Sequence, residues 1–538
     1  MVDQETAARE HMARIIADLS RTEAYPHPVT EIAIEETHAS IVFLADDLVY
    51  KIKKPVDFGF LDFSTLERRR HFCHEEIRLN RRLSQGVYLD VVPVVEVGGR
   101  LQLFGDGPEV EYAVKMNRLP DNQMLNYLIT TGTVDERVFP ALADRLAAFY
   151  REAATGPGVD EWGTAEAAHF SIRENVEQTQ PYVGTIIAPV QHRLIDEMSA
   201  RFFAEHAELF QQRIAAGRIR EGHGDLHLAH ICVQGLRPEE LQIIDCVEFN
   251  PRLRCGDIAV DIAFLAMDLD YHGRPDLSRS LVNMLAERLG DDDLPLLVHF
   301  FSVYRAHVRN KVACFRLDEI APELPEYVAV KSEAERYIDL ATSYLVEPER
   351  PTLFLVGGLS GTGKSVIAYR LARALGASLS SSDVVRKEIA GRPVESHEPV
   401  PYGTGIYEPS LTARTYQELL DRARVALTAG RSAVLDATFL DPSWREAARD
   451  MAAELGVDLL LIECQAPPAV VEERLARRSG LMADPSEADW AVYQEQRRRY
   501  GDVLAPLENV PQLTLDTNRP SAQVLDDILA HISLKQRL

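Results

Sequence analysis

The chain has 538 residues, of which 46% are hydrophobic and 26% charged, and it carries a formal net charge of −25. At roughly 100–200 residues per domain, this length excludes a single small domain, and the composition excludes wholesale disorder. No apolar run approaches the roughly eighteen residues of a transmembrane helix, and residues 1–20 indicate a charged amphipathic helix without the apolar centre of a secretion signal. The sequence therefore predicts a cytoplasmic protein with no membrane contact.

The cysteine pattern indicates the redox state of the thiols, and the distribution of charge indicates the kind of acceptor. No Cys-x-x-Cys pair or zinc-like spacing links the cysteines, which predicts reduced, buried thiols at Cys73, Cys232, Cys246, Cys255, Cys314 and Cys464. Residues 1–350 carry 37 Lys and Arg against 58 Asp and Glu, whereas residues 351–538 carry 21 against 25. The acidic part disfavours nucleic acid and suits a cationic or neutral acceptor, while the nearly neutral part leaves a short nucleic-acid 5′ end possible.

Composition and periodicity divide the chain into two modules, joined by a proline-containing linker at residues 346–352. Residues 1–345 predict an α+β module with two lobes. The small lobe, about residues 30–118, alternates strand-like runs with one helix at residues 65–83. Helical periodicity dominates the large lobe, about residues 119–345.

A glycine-containing loop at residues 222–230, GHGDLHLAH, precedes an apolar strand, a turn and a second strand that ends near Asp245. This is the layout of a kinase-like site, in which a loop aspartate, here Asp225, takes the proton of the substrate hydroxyl and a second aspartate, here Asp245, holds Mg²⁺. These residues resemble the aminoglycoside phosphotransferase family, whose signature reads H-G-D-x-x-x-x-N followed by I-D. Residues 261–263 also resemble the D-I-A segment of that family.

The resemblance extends over residues 30–345 and implies an ATP site in the small lobe. In the run LVYKIKK it implies Lys51 as the strand lysine that pairs with the α- and β-phosphates, with Lys53 on the same face as an alternative. Glu76 is the expected helix partner of that lysine, and Glu75 is a close second.

One position departs from the family signature. His230 stands five residues after Asp225, where the family has the asparagine that ligates the second metal. An imidazole can bind a metal, but it is a softer ligand than an amide oxygen. Three alternatives stay open for this module: a working kinase with His230 as a metal ligand, a nucleotide binder with little turnover, or a regulatory pseudokinase. A zinc site at His227 and His230 is a further alternative.

After the linker, an apolar strand leads into GLSGTGKS, which fits G-x-x-x-x-G-K-[ST] at the start of a helix. Strand-like runs and helices then alternate through residues 353–538, which predicts an α/β domain with a doubly wound parallel sheet. Such a loop binds phosphate through its N–H groups, Lys364 reaches the β- and γ-phosphates, and the Ser365 hydroxyl holds Mg²⁺. The predicted nucleotide-binding residues are Gly358, Ser360, Gly361, Thr362, Gly363, Lys364 and Ser365.

Charged residues downstream complete a candidate kinase site. Asp383 and Arg386 lie three residues apart on a predicted helix, where the carboxylate could accept a hydroxyl proton and the guanidinium could bind an anion. Asp436 ends an apolar strand, as the metal-side carboxylate of a phosphate-loop protein does. Arg474 and Arg478 share one helical face and would stabilise charge on the transferred phosphoryl group. Each residue also has a structural alternative as a helix cap, a strand-end cap or an exposed basic face.

In this order, the motifs of residues 353–520 resemble the small P-loop kinases that include polynucleotide 5′-kinase, gluconate kinase, chloramphenicol phosphotransferase and the zeta toxins. In the polynucleotide kinase pair that D-x-x-R resembles, the aspartate is the general base and the arginine grips substrate phosphate. The resemblance implies these roles for Asp383 and Arg386. It does not identify the acceptor.

Together, the motifs predict a fused phosphotransferase with two nucleotide sites that uses ATP and Mg²⁺. The expected acceptor is a hydroxyl of a small molecule, such as a sugar, an aminoglycoside-like compound or another metabolite, and the C-terminal site is the more strongly indicated one. The alternative is a toxin-like polynucleotide or nucleotide-sugar kinase that an N-terminal pseudokinase regulates.

Overall fold

The computed structural model describes residues 2–394, 405–478, 486, 488–501, 504 and 506–537, with side chains from residue 9 onward and without that of Arg478. The chain forms two compact units, one comprising Met1–Ala168 and His206–Ser302, the other His169–Glu205 and Val303–Leu538. The predicted linker at residues 346–352 does not coincide with this division, because helices of the N-terminal module group with the C-terminal domain. As a border between sequence modules it stays a prediction.

An antiparallel sheet forms the predicted small lobe in the first unit, with the strand order β1-β2-β3-β6-β4-β5. Alternating apolar residues such as Ile41, Phe43 and Ile52 fill its core. Helix α2 begins after Thr65, whose hydroxyl accepts a hydrogen bond from the N–H of Arg68. The elements are α1 (Val2–Leu19), β1 (Ile32–Glu36), β2 (Ser40–Ala45), β3 (Leu48–Lys53), α2 (Leu66–Asn80), β4 (Tyr88–Val97), β5 (Arg100–Gln102) and β6 (Glu109–Asn117).

Helices and short strands follow, and the chain crosses between the units within α6, between α7 and α8, and within α12. Strands β8 and β9 form an antiparallel hairpin directly after the loop of Asp225, where the sequence predicted one, and β7 pairs with β10. The elements are α3 (Leu125–Thr130), α4 (Val138–Glu152), α5 (Pro157–Asp160), α6 (Ala165–Thr179), α7 (Pro189–Glu205), α8 (Ala207–Ala215), β7 (Ile219–Glu221), β8 (Ile231–Val233), β9 (Leu241–Ile243), α9 (Pro251–Arg254), β10 (Cys255–Asp257), α10 (Ile258–Tyr271), α11 (Pro275–Leu289), α12 (Leu294–Glu319) and α13 (Pro325–Leu345).

The second unit contains a parallel sheet with the strand order β13-β14-β12-β15-β16, which confirms the α/β fold predicted for the C-terminal part. Both faces are covered: Leu353 and Leu355 pack on one side, Phe354 and Val356 on the other. The elements are β11 (Val346–Pro348), β12 (Thr352–Gly357), α14 (Lys364–Ala374), β13 (Ser378–Ser381), α15 (Ser382–Ile389), α16 (Pro409–Thr428), β14 (Ala433–Asp436), α17 (Pro442–Leu455), β15 (Asp458–Gln465), α18 (Pro468–Arg478), α19 (Trp490–Tyr500), β16 (Gln512–Asp516), α20 (Ser521–His531) and β17 (Leu534–Gln536).

Two further expectations concern the whole chain. Among the described residues, no helix combines the length and the apolar character needed to cross a membrane. All six cysteines lie in the described part of the chain, where they are buried and free. The first three residues of the predicted linker form strand β11, which pairs with strand β17 near the end of the chain.

Candidate functional site

The register of the C-terminal sheet brings three sequence segments to one edge. Strand β14 lies between β12 and β13, and Asp436 at its end is paired with Val356 and with Ser381. The phosphate loop follows β12 from Gly358, and helix α15, which carries Asp383, follows β13 directly. Because the carboxyl ends of parallel strands meet at the same edge, the loop and both aspartates converge there.

The phosphate loop has a backbone conformation that depends on glycine. Gly358 has a φ of 129° and Gly363 a φ of 85°, both in the region that favours glycine. Helix α14 begins at Lys364, whose Nζ donates to the carbonyl oxygen of Leu359 at 2.8 Å within the same loop. The unpaired N–H groups at the start of such a helix form an anion site, so the loop can bind phosphate.

Asp436 forms the centre of the charge arrangement at this edge. It is 3% exposed, and burial raises its pKa, while the charge of Lys364 and a hydrogen bond with Ser365 oppose that shift. The charge of Asp383 also raises the pKa of Asp436, which shows that the two carboxylates are electrostatic neighbours. The hydroxyl of Ser365 and the carboxylate of Asp436 are hard oxygen donors, so they fit Mg²⁺.

Arg474 lies beside the phosphate loop. Its Nη1 donates to Oγ1 of Thr517 at 3.2 Å and its Nη2 to the carbonyl oxygen of Thr517 at 2.6 Å. The Thr517 hydroxyl in turn donates to the carbonyl of Thr362 in the loop at 2.6 Å. Burial lowers the pKa of Arg474. The side chain of Arg478 lies outside the described residues, so the paired role of the two arginines stays a prediction.

Arg386 is buried, and its guanidinium is already engaged. Nη1 donates to the carbonyl oxygen of Ile406 at 3.3 Å and to Oγ1 of Thr412 at 3.1 Å. The group also lies over the ring of Tyr407, 4.5 Å from its centroid. In this arrangement Arg386 holds the segment after residue 404, and its role as a substrate ligand stays a prediction.

Sequence reasoning missed Gln496, a buried residue of α19. Its Oε1 accepts a hydrogen bond from the backbone N–H of Ser360 in the phosphate loop at 2.8 Å. No motif marks this residue, although it shares the buried face of α19 with Tyr493, three residues earlier. A glutamine on the buried face of a helix needs a hydrogen-bond partner, so its position in the sequence could have indicated a buried polar contact.

In the first unit, the loop of Asp225 is held by a buried carboxylate of α10. Asp261 accepts hydrogen bonds from the backbone N–H groups of His223 and Gly224. A Cβ on Gly222 would lie 2.2 Å from Oδ2 of Asp261, so glycine is required for this approach. The sequence marked Asp261 only through the D-I-A resemblance and did not predict its contact with the loop.

Two lysines of β3 share one glutamate of α2. Lys51 Nζ lies 3.0 Å from Oε1 of Glu76 and 2.6 Å from Oδ1 of Asp245. Lys53 Nζ lies 2.6 Å from Oε2 of Glu76 and also contacts Glu248. Lys53 is only 1% exposed, whereas Lys51 reaches Asp245, so Lys51 is the lysine that faces the candidate metal ligand.

Glu75, the alternative helix partner of the strand lysine, pairs with an arginine instead. Its Oε2 lies 2.8 Å from Nη2 of Arg78 in an exposed pair on the same helix. Burial lowers the pKa of Lys51, but the charges of Asp245 and Glu76 raise it more, so this ammonium stays protonated. Glu76 is therefore the residue in contact with the strand lysines.

Carboxylates and imidazoles gather around Asp225. Asp225, His227 and His230 offer ligand atoms that all lie within 4.8 Å of one another. Oδ2 of Asp225 is 3.6 Å from Nε2 of His227 and 3.6 Å from Nδ1 of His230, and Nε2 of His230 is 3.7 Å from Oδ2 of Asp245. Desolvation raises the pKa of Asp225, but the nearby imidazoles of His227 and His230 lower it by more, so the group stays ionised.

Comparisons with known proteins cover both parts of the chain. Residues 353–503 match the model of the AAA domain family. The uncharacterized protein Rv2004c of Mycobacterium tuberculosis is 34% identical over 477 residues, which is 86% of this chain and 92% of that protein. A 2-phosphoglycerate kinase of Methanothermobacter thermautotrophicus is 33% identical over 124 residues, which is 22% of this chain and 38% of that protein.

A solved structure of a choline/ethanolamine kinase family protein from Mesorhizobium loti aligns with 61% of this chain and 99% of its own length. Its sequence identity is 11% and its TM-score is 0.33.

Proposed function

This chain belongs to the same family as the uncharacterized protein Rv2004c, and we propose that it is an ATP-dependent phosphotransferase acting on a hydroxyl of a small molecule. The observation that carries the proposal is the convergence of the phosphate loop, Asp436 and Asp383 at one edge of the C-terminal parallel sheet. The match of residues 353–503 to the AAA domain family and the partial similarity to a 2-phosphoglycerate kinase also support nucleotide-dependent phosphotransfer.

The C-terminal residues have complementary tasks in this reaction. The loop N–H groups and Lys364 bind the β- and γ-phosphates, and Ser365 with Asp436 would hold Mg²⁺, which neutralises phosphate charge when bound. Asp383 accepts the proton of the acceptor hydroxyl while the hydroxyl oxygen forms a bond to the γ-phosphorus and the bond to ADP breaks. Arg474, beside the loop, stabilises the charge that develops on the transferred group.

The N-terminal unit supplies a second nucleotide site in this proposal. Lys51, held by Glu76, would contact the α- and β-phosphates, Asp225 would accept the acceptor proton, and Asp245 with His230 would hold a metal ion. The acidity of residues 1–350 suits a cationic or neutral acceptor and disfavours nucleic acid. We place both activities in the cytoplasm, where ATP is available and free thiols persist.

A sensor role for the N-terminal unit is the second candidate, and one contact favours it. Lys51 is bound to Asp245 at 2.6 Å, so a residue expected to hold metal is already paired with a cation. A pseudokinase of this kind would bind ATP without product and regulate the C-terminal kinase, which would then act on a polynucleotide or an activated sugar.

The test is ATP consumption by the full chain, with product mass as the readout, against sugars, aminoglycosides, other hydroxylated metabolites and 5′-hydroxyl oligonucleotides. Lys364→Ala should lower transfer by at least roughly 100-fold, the scale of losing a key electrostatic group. Lys535→Ala, an exposed lysine of β17, is the matched control and should leave transfer unchanged.

Asp225→Asn separates the two sites. If it alone abolishes transfer to some acceptor, the N-terminal unit is an enzyme and the sensor role is wrong. If ATP binds at the N-terminal unit while every product depends on Lys364 alone, the sensor role is supported. If no acceptor is phosphorylated and neither variant changes ATP consumption, the proposed function is wrong.

A further inference from the structure

The hydrogen bonds of His230 determine which of its ring nitrogens is free. Nδ1 lies 2.9 Å from the backbone carbonyl oxygen of Asp225, which can only accept a hydrogen bond. Nδ1 therefore carries the proton of the neutral ring, and Nε2 has a free lone pair. A metal-binding histidine is typically oriented by such an N–H bond from its other nitrogen.

His227, three residues earlier, has the opposite tautomer. Its Nδ1 accepts a hydrogen bond from the backbone N–H of Ala229 at 3.3 Å, so the proton of its neutral ring lies on Nε2. That proton points to Oδ2 of Asp225, 3.6 Å away. In this tautomer Nε2 of His227 carries the proton and Nδ1 accepts from Ala229, so neither nitrogen offers a lone pair to a metal.

The free nitrogen of His230 faces a carboxylate oxygen. Nε2 of His230 lies 3.7 Å from Oδ2 of Asp245, while the other oxygen of Asp245 binds Lys51. A cation about 2.1 Å from each atom can bridge this gap. The side chain of Asp245 is 43% exposed, so phosphate or water oxygens can complete the coordination. Asp245 also has a φ of 64°, which is strained for a residue other than glycine and is typical of functional sites.

We propose that Nε2 of His230 and Oδ2 of Asp245 form a site for a divalent transition ion of the Co²⁺ or Zn²⁺ class in the N-terminal unit, in preference to Mg²⁺. Mg²⁺ takes oxygen ligands, whereas imidazole nitrogen suits Fe²⁺, Co²⁺, Ni²⁺ and Zn²⁺. The inference deepens the proposed function and rests on it in assigning the metal to a nucleotide site. The C-terminal site, with its oxygen donors, keeps its preference for Mg²⁺.

The test uses the full chain with Lys364→Ala and Ser365→Ala, which weakens metal and nucleotide binding at the C-terminal site. The protein is freed of metal with a chelator, and Co²⁺ is titrated by its visible absorption, with and without ADP, with Zn²⁺ and Mg²⁺ as competitors. His230→Asn replaces the imidazole with an amide oxygen donor. It should weaken Co²⁺ and Zn²⁺ by at least the roughly 10–100-fold that loss of an outer-shell partner costs, whereas Mg²⁺ affinity should stay the same or rise, because Mg²⁺ takes oxygen ligands.

His227→Asn is the matched control in the same loop and should change Co²⁺ affinity by less than about threefold, a limit set well below the loss of a metal ligand. Asp245→Asn should weaken Co²⁺ as His230→Asn does, which keeps the test decisive if one variant fails to fold. Unchanged Co²⁺ affinity in His230→Asn would overturn the inference, and so would an equal loss in His227→Asn. If Co²⁺ responds as expected but ADP does not bind, the inference stands and the proposed nucleotide role of this unit fails.

Discussion

Replacing Arg370 with methionine should destabilise the second unit by about 3–5 kcal/mol, because a buried carboxylate would lose its partner. Arg370 on the phosphate-loop helix α14 has a side chain that is 4% exposed, and that of Asp339 on α13 is 1% exposed. Nη2 and Nε of Arg370 donate to the two oxygens of Asp339 at 3.0 Å and 3.2 Å. Nη2 also donates to the carbonyl oxygen of Ile186 at 3.1 Å, so the variant would leave a second buried acceptor without its partner.

Urea unfolding followed by tryptophan fluorescence can measure this loss in the second unit alone. Trp162 lies in the first unit, whereas Trp444 and Trp490 lie in the second, so a Trp162→Phe background reports on the second unit. In thermal unfolding followed by the same fluorescence, roughly 2–4 °C per kcal/mol gives an expected drop in Tm of roughly 6–20 °C.

Arg373→Met is the control, because this residue lies on the exposed face of the same helix and should change stability by at most about 0.5 kcal/mol. Combining Asp339→Leu with Arg370→Met should recover part of the loss, since an apolar pair can replace a buried ion pair. A loss below about 1 kcal/mol for Arg370→Met would refute the reasoning, as would a double variant no more stable than the single one.

Two further predictions concern buried polar groups of the second unit. Gln496→Leu should cost about 1–3 kcal/mol and weaken ADP binding, because the N–H of Ser360 loses its acceptor. Gln496→Glu keeps an acceptor for that N–H, but its buried charge should lower stability and should also weaken ADP binding. Unfolding and calorimetry measure the two effects. Burial lowers the pKa of His307 to about 3, so between pH 6.5 and about 3 only the unfolded state gains this proton. The contribution of His307 to stability is therefore complete above pH 6.5 and falls by about 1.4 kcal/mol for each pH unit below it. His307→Phe should flatten that slope, and an unchanged slope would contradict the assignment.

Local patterns were sufficient to predict the C-terminal fold. Strands of a buried parallel sheet are short apolar runs, and the phosphate loop is a contiguous motif between such a run and a helix. The local sequence pattern was therefore enough to predict both the sheet and the loop. The β8–β9 hairpin of the N-terminal unit was predicted for the same reason, since only seven residues separate its two strands.

Contacts between distant residues could not be predicted in this way. Lys51 and Lys53 alternate along one strand and share a face, so spacing could not choose between them, whereas the structure shows both against Glu76 and only Lys51 against Asp245. Gln496 reaches a loop 136 residues earlier in the chain. Packing rather than periodicity decides such partners.

The position of Arg386 bears on the acceptor of the C-terminal site. The resemblance to polynucleotide kinase implies that this arginine grips a substrate phosphate, yet its guanidinium already has two hydrogen bonds and the ring of Tyr407. Both hydrogen bonds leave from Nη1, whereas the buried Nε has no hydrogen-bond partner among the described residues, so a phosphate could bind the guanidinium without displacing them. A neutral acceptor makes no demand on Arg386, because Asp383 requires only a hydroxyl proton. We therefore expect Arg386 to matter only for an acceptor that carries an anionic group, and the nearly neutral C-terminal part, with 21 Lys and Arg against 25 Asp and Glu, leaves such an acceptor possible.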